Sequence, residues 1–261
     1  MITPDLHKEP KALDTVAHRG LKLIASASAI ERIEPFNSFM ISIGEFTDCA
    51  REFPIVFVKS EDDKDGKPQV APVAVFGLQK NQNLFVEKGA WTAEYLPAIL
   101  RAYPFTLARL EGDERYALVY DASWKGFSLS VGQPLFDDKG EGSKLLKDVY
   151  QFVQNIEQDL ERTRQAGQRL LELNLLQPMR FDATLPDGAT IAVDGFWAVD
   201  EKRLAELSDA ETGELHRSGL LALLYVHRLS MINMRKLVER IARRAAAQPA
   251  AAANDGPATP A

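Results

Sequence analysis

The stretch SKLLKDVYQFVQNIEQDLERTRQAGQRLLELNLL (residues 143–176) decides the fold of this chain. Apolar or small side chains recur in it every three or four residues, which is the period of an amphipathic α-helix. These positions are Leu145, Val149, Phe152, Ile156, Leu160, Thr163, Gly167 and Leu170. Ser143 is a suitable N-cap, and Pro178 is expected to stop the helix. The sequence therefore predicts one long amphipathic helix over about 143–176.

Short β-branched and aromatic segments on both sides of this helix predict antiparallel strands joined in hairpins. Turn sequences such as Asp65-Gly66 and Pro186-Asp187-Gly188 separate them. The predicted strands are 21–24, 39–43, 55–58, 70–78, 84–86, 105–110, 116–120, 127–131, 181–185, 190–193 and 195–199. The other predicted helices are 44–52, 91–102, a short one from Asp200, 209–219 and a last long helix, 220–244. The predicted fold class is α+β, with the C-terminal helix packed on the long helix.

Length and composition suit one globular domain. The chain has 261 residues, of which 46% are hydrophobic and 26% charged, so it can bury a sizeable core. We expect a lead-in over 1–33, a single domain over 34–244 and a disordered tail over 245–261. The tail consists mostly of Ala and Pro and has no aromatic residue or apolar period.

The charge balance and the single cysteine exclude several classes of function. A net charge of −6 disfavours nucleic acid and general binding to anionic membranes. Cys49 cannot form an intrachain disulfide and is expected to be a buried, inert thiol. The N-terminus lacks the features of a signal peptide, and the longest apolar run, 220–226, is far below the ~20 residues that span a bilayer. These features predict a soluble cytoplasmic protein, with a signal-less export route left open.

An ordered set of short motifs resembles the bacterial SapC family over about residues 34–230. The motifs are EFPIVF at 52–57, FGL at 76–78, NLF at 83–85, Trp91 with YLP at 95–97, Arg101 with PF at 104–105, Gly132 with LFD at 135–137, LL at 175–176 with Pro178, and GF at 195–196 with DEKRL at 200–204. The family is named after a surface-layer gene cluster, and relatives occur near TonB-dependent receptors, flavin-dependent halogenases and cupin-like proteins. The resemblance implies a role in a bacterial envelope, S-layer or nutrient-uptake system, and it supplies no catalytic residues. A membrane subunit of a peptide transporter has the same name, but no segment here is long enough to match it.

No motif for a catalytic or cofactor site emerges from the sequence. The four histidines, His7, His18, His216 and His227, are dispersed, and Gly219 interrupts a helix that would align the last two. Ser128 follows Gly126-Phe127 but lacks the second glycine of a hydrolase turn, and no phosphate loop is present. We therefore predict no catalytic residue, no metal site and no cofactor, and we favour a protein that is not an enzyme.

Two groups of residues are candidates for binding. The first comprises Trp91, Tyr95, Arg101 and Trp197, because Trp, Tyr and Arg dominate binding hot spots; packing in the core is the alternative. The second lies on the last helix and comprises Arg235, Lys236, Arg240, Arg243 and Arg244. From Arg217 to Arg244 the net charge is +6, so the rest of the chain carries −12. This helix is a candidate for docking an acidic protein partner or an anionic membrane surface, and a solvated helix end is the alternative.

Three functional hypotheses remain open from the sequence. The favoured one is a non-catalytic accessory or binding protein of an envelope or uptake system. The second is an enzyme with an unrecognised small-molecule site, and the third is a structural protein associated with the S-layer. A deep pocket lined by converging ionisable groups would favour the enzyme, and cell fractionation would separate the third hypothesis from the others.

Overall fold

The computed structural model describes residues 2–25, 28–60, 62, 65–109, 116–185 and 188–247. The described chain has the predicted α+β fold, with antiparallel sheets, a long helix and a C-terminal helix. The strands are β1 Pro10–Ala12, β2 Lys22–Leu23, β3 Ser38–Met40, β4 Ile55–Ser60, β5 Gln69–Val75, β6 Val86–Glu87, β7 Ala90–Trp91, β8 Phe105–Arg109, β9 Tyr116–Asp121, β10 Phe127–Ser128, β11 Gln133–Pro134, β12 Leu176–Thr184 and β13 Thr190–Val199. The helices are α1 Ile30–Ile33, α2 Phe46–Cys49, α3 Ala98–Ala102, α4 Lys144–Glu172, α5 Glu201–Ala205, α6 Asp209–Arg217, α7 Leu220–Ser230 and α8 Asn233–Ala247.

The main sheet has five strands in the order β12-β13-β4-β5-β3, and its pairings are antiparallel. A second sheet has the order β1-β9-β8, a third has the order β10-β2-β11, and β6 pairs with β7. Among the described strands, four of the pairings join strands that follow each other in the chain: β4 with β5, β6 with β7, β8 with β9 and β12 with β13. The prediction of a hairpin-built antiparallel sheet is therefore confirmed.

Helix α4 begins where the sequence predicts but ends earlier. The Ser143 hydroxyl accepts a hydrogen bond from the Leu146 amide at 3.3 Å, as expected for an N-cap. At the other end, Asn174 adopts a left-handed backbone with φ of 53°. The amide of Asn174 donates to Leu171, and the amide of Leu175 donates to Leu170, which is the pattern of a Schellman cap. Asn174, rather than Pro178, therefore ends the helix, and Pro178 lies within β12.

Helix α4 crosses the main sheet at a point where no side chain fits. A Cβ atom added to Gly167 would lie 2.7 Å from the carbonyl oxygen of Val70 in β5. Four residues earlier along α4, about one turn, the Thr163 hydroxyl accepts a hydrogen bond from the Ile43 amide at 2.9 Å. The glycine allows the helix backbone to approach the strand closely, and the threonine fixes the 3₁₀ turn Ile43–Glu45 against the helix.

Two apolar clusters form the core, and α4 contributes to both. Leu160 and Leu170 pack in the first cluster, which surrounds the main sheet, while Leu146 and Val153 pack in the second, beside β8 and β9. Because one helix serves both clusters, we propose that residues 34–244 form a single domain. The lead-in packs on this body, since Leu6 is fully buried in the first cluster and β1 pairs with β9. Residues 248–261 of the expected tail lie outside the described residues.

The helix predicted over 91–102 is wrong in its first half. Trp91 lies in β7 opposite Val86, and α3 covers only Ala98–Ala102. Pro97 occupies the N-cap position of α3 with an extended backbone. A proline disfavours the helical conformation for the residue before it, which accounts for the start of α3 after Pro97.

The single helix predicted over 220–244 is divided into α7 and α8. Polar side chains at the junction bind the backbone of the α2–β4 region instead of solvent. The Ser230 hydroxyl accepts from the Ile55 amide at 2.9 Å, and the Asn233 side chain donates to the carbonyls of Ala50 at 2.8 Å and Phe53 at 3.1 Å. These long-range bonds, which periodicity cannot indicate, fix the chain where the two helices meet.

Replacing Gly167 with alanine tests the close approach of α4 to β5. Alanine is favoured over glycine in a helix by about 1 kcal/mol, but the new methyl group would overlap a backbone oxygen. We expect a net destabilisation of about 1–3 kcal/mol in urea unfolding. The matched control is Gly213→Ala in α6, where the new Cβ meets only the flexible end of Arg217, and this variant is expected to be as stable as the parent or more so. Equal effects of the two substitutions would contradict the proposed contact.

Burial of His227 predicts a pH-dependent loss of stability. Burial, assisted by the nearby Arg228 charge, lowers the pKa of His227 to about 4, and its ring packs 5.3 Å from that of Phe57. Below pH 6.5 the unfolded chain binds a proton that the folded chain does not, so stability falls as the pH drops from about 6.5 to 4. We expect His227→Leu to remove about 2–3 kcal/mol of this pH dependence, measured as the difference between unfolding free energies at pH 7 and pH 4.5. Parallel stability profiles for the parent and the variant would show that the histidine is not buried in its neutral form.

Candidate binding surface

The aromatic candidate Trp91 is part of the core. Its ring lies edge-on to Phe76 at 5.4 Å and within 6.0 Å of Phe53 and Phe85. Its indole nitrogen donates a hydrogen bond to the carbonyl of Tyr95 at 3.0 Å. The side chain is half-buried, and its contacts give it a packing role between β7 and the first apolar cluster.

Tyr95 and Arg101 belong to a network around the buried carboxylate of Glu45, which the sequence analysis missed. This carboxylate accepts hydrogen bonds from the Tyr95 hydroxyl at 2.9 Å, the Ala98 amide at 2.6 Å and the Ser42 amide at 2.8 Å. Burial, together with the charge of Glu45, raises the pKa of Tyr95. The Arg101 guanidinium lies over the Tyr95 ring at 5.4 Å. The spacing Ser42-x-x-Glu45 is a capping-box pattern and was the available signal for this carboxylate.

Two further residues singled out in the sequence are Trp197 and Cys49. Trp197 is half-buried in β13, opposite Phe57 of β4. Cys49 is fully buried, as predicted, and burial raises the pKa of its thiol, with Glu45 adding to the effect. Among the described residues, no group of three or more His, Cys, Asp or Glu side chains is arranged to hold a metal ion.

The structure separates the five cationic candidates of the last helix into two sets. Arg240 and Arg244 fold back onto β6, where Arg244 donates to the Val86 carbonyl at 2.7 Å. Arg240 donates to the Leu84 carbonyl at 3.3 Å and lies 4.2 Å from the centre of the Phe85 ring. Burial, together with the neighbouring Arg243, lowers the pKa of Arg240 from its usual value. These two arginines therefore fasten α8 to the body of the protein.

The other three cations, Arg235, Lys236 and Arg243, are exposed. Within the described part of the chain, none of them has a carboxylate oxygen within 4.0 Å. Their charges are therefore available to solvent or to a partner, unlike that of Arg228, which pairs with Glu201 at 2.8 Å.

An exposed apolar stripe leads directly to two of these cations. Tyr225, Leu229 and Ile232 expose 48%, 65% and 63% of their surface. Tyr225 and Leu229 are four residues apart in α7, and the Ile232 amide donates to the Leu229 carbonyl at 3.3 Å, so the three residues follow one another at successive turns. The amide of Arg235 donates to the Ile232 carbonyl at 3.2 Å, so Arg235 follows one turn later. We call Tyr225, Leu229, Ile232, Arg235 and Lys236 the α7–α8 surface.

Sequence reasoning found the cations of this surface and missed its apolar residues. The segment 220–232 is apolar on nearly every side, which is typical of a buried helix. The packing of α7 against α6, α2, β4 and β13 decides which side is covered, and the contacts with α2, β4 and β13 are long-range.

Replacing Arg240 or Arg244 is expected to lower the free energy of unfolding more than replacing Arg243 on the same helix. Arg240→Ala and Arg244→Ala each remove a charged hydrogen bond to a backbone carbonyl and should lower the unfolding free energy by about 1–3 kcal/mol. The control Arg243→Ala, at an exposed position, should change it by less than about 0.5 kcal/mol. Denaturant titrations of the three variants measure these values, and a cost at Arg243 equal to the others would contradict the assigned roles. Charge reversal at 240, 243 and 244 together would therefore disturb the fold as well as any binding.

Among the described residues, no helix is both long enough and apolar enough to cross a bilayer. No curated protein and no solved structure matches the chain. A family comparison gives a match over residues 13–237, beginning upstream of the boundary at residue 34 that the motifs had indicated. Since this match covers most of the chain, the protein belongs to the SapC family.

Proposed function

We propose that this SapC-family protein is a non-catalytic accessory protein of a bacterial envelope, S-layer or nutrient-uptake system, and that it binds an acidic segment of a partner protein. The observation that carries the proposal is the α7–α8 surface, where three exposed apolar side chains adjoin two cations with no carboxylate partner among the described residues. The assignment to an envelope or uptake system rests on what the family resemblance implies.

The apolar part of the surface supports a protein partner. Large exposed apolar residues that are close together on one helix are typical of interaction sites. The Arg228 guanidinium lies 5.7 Å from the Tyr225 ring centre and pairs with Glu201. Tyrosine has only two side-chain torsions and loses little entropy on binding, which favours its use as an anchor.

The charged part of the surface supports an acidic occupant. Arg235 and Lys236 lie at the end of the apolar stripe and have no carboxylate partner among the described residues. A helical segment with apolar residues at spacings of three and four would cover Tyr225, Leu229 and Ile232. Acidic side chains beyond those residues would pair with the two cations, which improves the rate and specificity of docking.

Site-specific photo-crosslinking in the native bacterium tests the proposal. With the full-length chain carrying Ile232→p-benzoylphenylalanine, we expect a crosslink to one protein, mapped by mass spectrometry to a segment rich in Asp and Glu. Adding Arg235→Glu and Lys236→Glu should reduce the crosslink yield at least about fivefold, because two attractive contacts become repulsive.

Two controls distinguish specific docking from nonspecific binding. Lys144→Glu with Lys147→Glu changes the net charge equally on α4, and the photo-crosslinker at Leu129 probes a residue that is 77% exposed elsewhere on the surface. The charge reversals on α4 should leave the crosslink yield at position 232 unchanged, and the photo-crosslinker at Leu129 should not capture the same partner segment. The proposal is contradicted if position 232 crosslinks only to lipid or to a second copy of this chain, or if the charge reversals leave the yield unchanged.

A further inference from the structure

A cavity of about 720 Å³ has no residue of the α7–α8 surface in its lining. Its volume falls in the range of sites for small molecules, which is about 300–1,000 Å³. Segments distant in sequence line it, from the lead-in, α1, the turn after β5 and the loop after β9. The lining residues on which the argument depends are Arg32, Phe36, Lys80, Ser123, Trp124 and Lys125.

The Arg32 guanidinium is fixed in the wall of this cavity. Its Nη2 donates to the Ser123 hydroxyl at 2.8 Å, and its Nε donates to the Tyr103 hydroxyl at 3.3 Å. Both hydroxyls in turn donate to the carboxylate of Asp121, at 2.7 Å from Ser123 and 2.8 Å from Tyr103. Arg32 is thus oriented by its neighbours and still exposes about a quarter of its side chain, 27%.

Asp121 remains ionised beneath this arrangement. Burial alone would raise its pKa, but hydrogen bonds from the Glu9 amide, from Ser123 and from Tyr103 outweigh burial and lower the pKa to about 2. The same burial and the hydrogen bond to Asp121 raise the pKa of Tyr103 to about 12. The Tyr103 hydroxyl therefore stays protonated near neutral pH, where it can donate its hydrogen bond to Asp121.

Trp124 presents a fixed aromatic surface to the same cavity. Its indole nitrogen donates to the Ser28 carbonyl at 3.3 Å, and its ring is edge-on to Phe127 at 5.2 Å and to Tyr103 at 6.3 Å. The ring lies directly on Gly126, where an added Cβ would be 2.1 Å from it. A rigid, half-exposed aromatic ring beside a cation suits a ligand that is partly planar and apolar.

The charges of the cavity favour an anion. Its lining includes four cations and two carboxylates, and one cation, Lys8, pairs with Asp5 at 3.6 Å. Lys80 and Lys125 are exposed and have no carboxylate oxygen within 4.0 Å among the described residues. Arg32 itself lies 3.9 Å from the Asp121 carboxylate, so the cavity's uncompensated charge is that of Lys80 and Lys125. In a larger groove beside α4, of about 840 Å³, the cations Arg164 and Arg169 pair with Glu161 and Glu214.

We propose that the Arg32 cavity binds a small organic anion, with its carboxylate or phosphate group held by Arg32, Lys80 and Lys125 and its planar part against Trp124. This site is separate from the α7–α8 surface, so either proposal can fail without the other. A cavity built from four chain segments would also couple ligand binding to the packing of the lead-in on the body.

Titration of the full-length protein with phenyl phosphate and with benzoate tests the proposal, followed by tryptophan fluorescence and by calorimetry. We expect binding of one equivalent of either probe and a change in fluorescence that Trp124→Phe abolishes, while Trp91 and Trp197 remain. Lys80→Gln with Lys125→Gln should weaken binding about fivefold to tenfold, because two unpaired charges are removed. Arg32→Gln should weaken it further, and its folding is checked by circular dichroism.

Two control variants test the location of the site, and two control ligands test whether both the anionic group and the aromatic ring are recognised. Lys144→Gln with Lys147→Gln removes the same charge from α4, and Leu229→Ser with Ile232→Ser alters the other surface; both should bind the probes as the parent does. Neutral benzamide and inorganic phosphate should bind at least about tenfold more weakly than benzoate and phenyl phosphate, since each lacks one of the two recognised groups. The proposal is overturned if the probes do not bind at millimolar concentration, if benzamide binds as well as benzoate, or if the lysine variants bind unchanged.

Discussion

The close contact between Gly167 of α4 and the Val70 carbonyl of β5 is the constraint on which the rest of the structure depends. It brings the helix near enough for Leu160 and Leu170 to enter the core of the main sheet. The first half of the same helix then projects beyond the sheet and covers β8 and β9 with Leu146 and Val153. One rigid helix therefore sets the relative position of two sheets that share no strand.

In addition to the apolar packing, two buried carboxylates join separate segments of the chain by hydrogen bonds. Glu45 joins the turn after β3 to the segment before α3, and Asp121 joins the lead-in to the end of β9. Each accepts several hydrogen bonds, which offsets the cost of removing a charge from water. Asp121 has the more direct bearing on function, because the hydroxyls that it orients also orient Arg32 in the cavity.

The sequence predicted the features that follow from local pattern. The period of α4, its cap at Ser143 and the hairpins were available because they depend on neighbours along the chain. The end of α4 at Asn174 and the division at residues 231–232 depended on backbone caps and on distant partners such as the Ile55 amide.

The candidate sites were predictable only in part for the same reason. Net charge indicated Arg235 and Lys236, but it equally indicated Arg240 and Arg244, which bind backbone carbonyls of β6 and its approach. The apolar residues of the α7–α8 surface could not be separated from core residues of the same segment. The Arg32 cavity left no local pattern, because its lining comes from segments that are up to more than a hundred residues apart in the sequence.

Native-state hydrogen exchange in the two apolar clusters tests most directly whether α4 unites them. Amides of Val153 and Leu170 in α4, Val73 in β5 and Leu107 in β8 should share one opening free energy, equal to that of global unfolding. An opening free energy for Val153 and Leu107 lower by more than about 2 kcal/mol than that for Leu170 and Val73 would contradict the account.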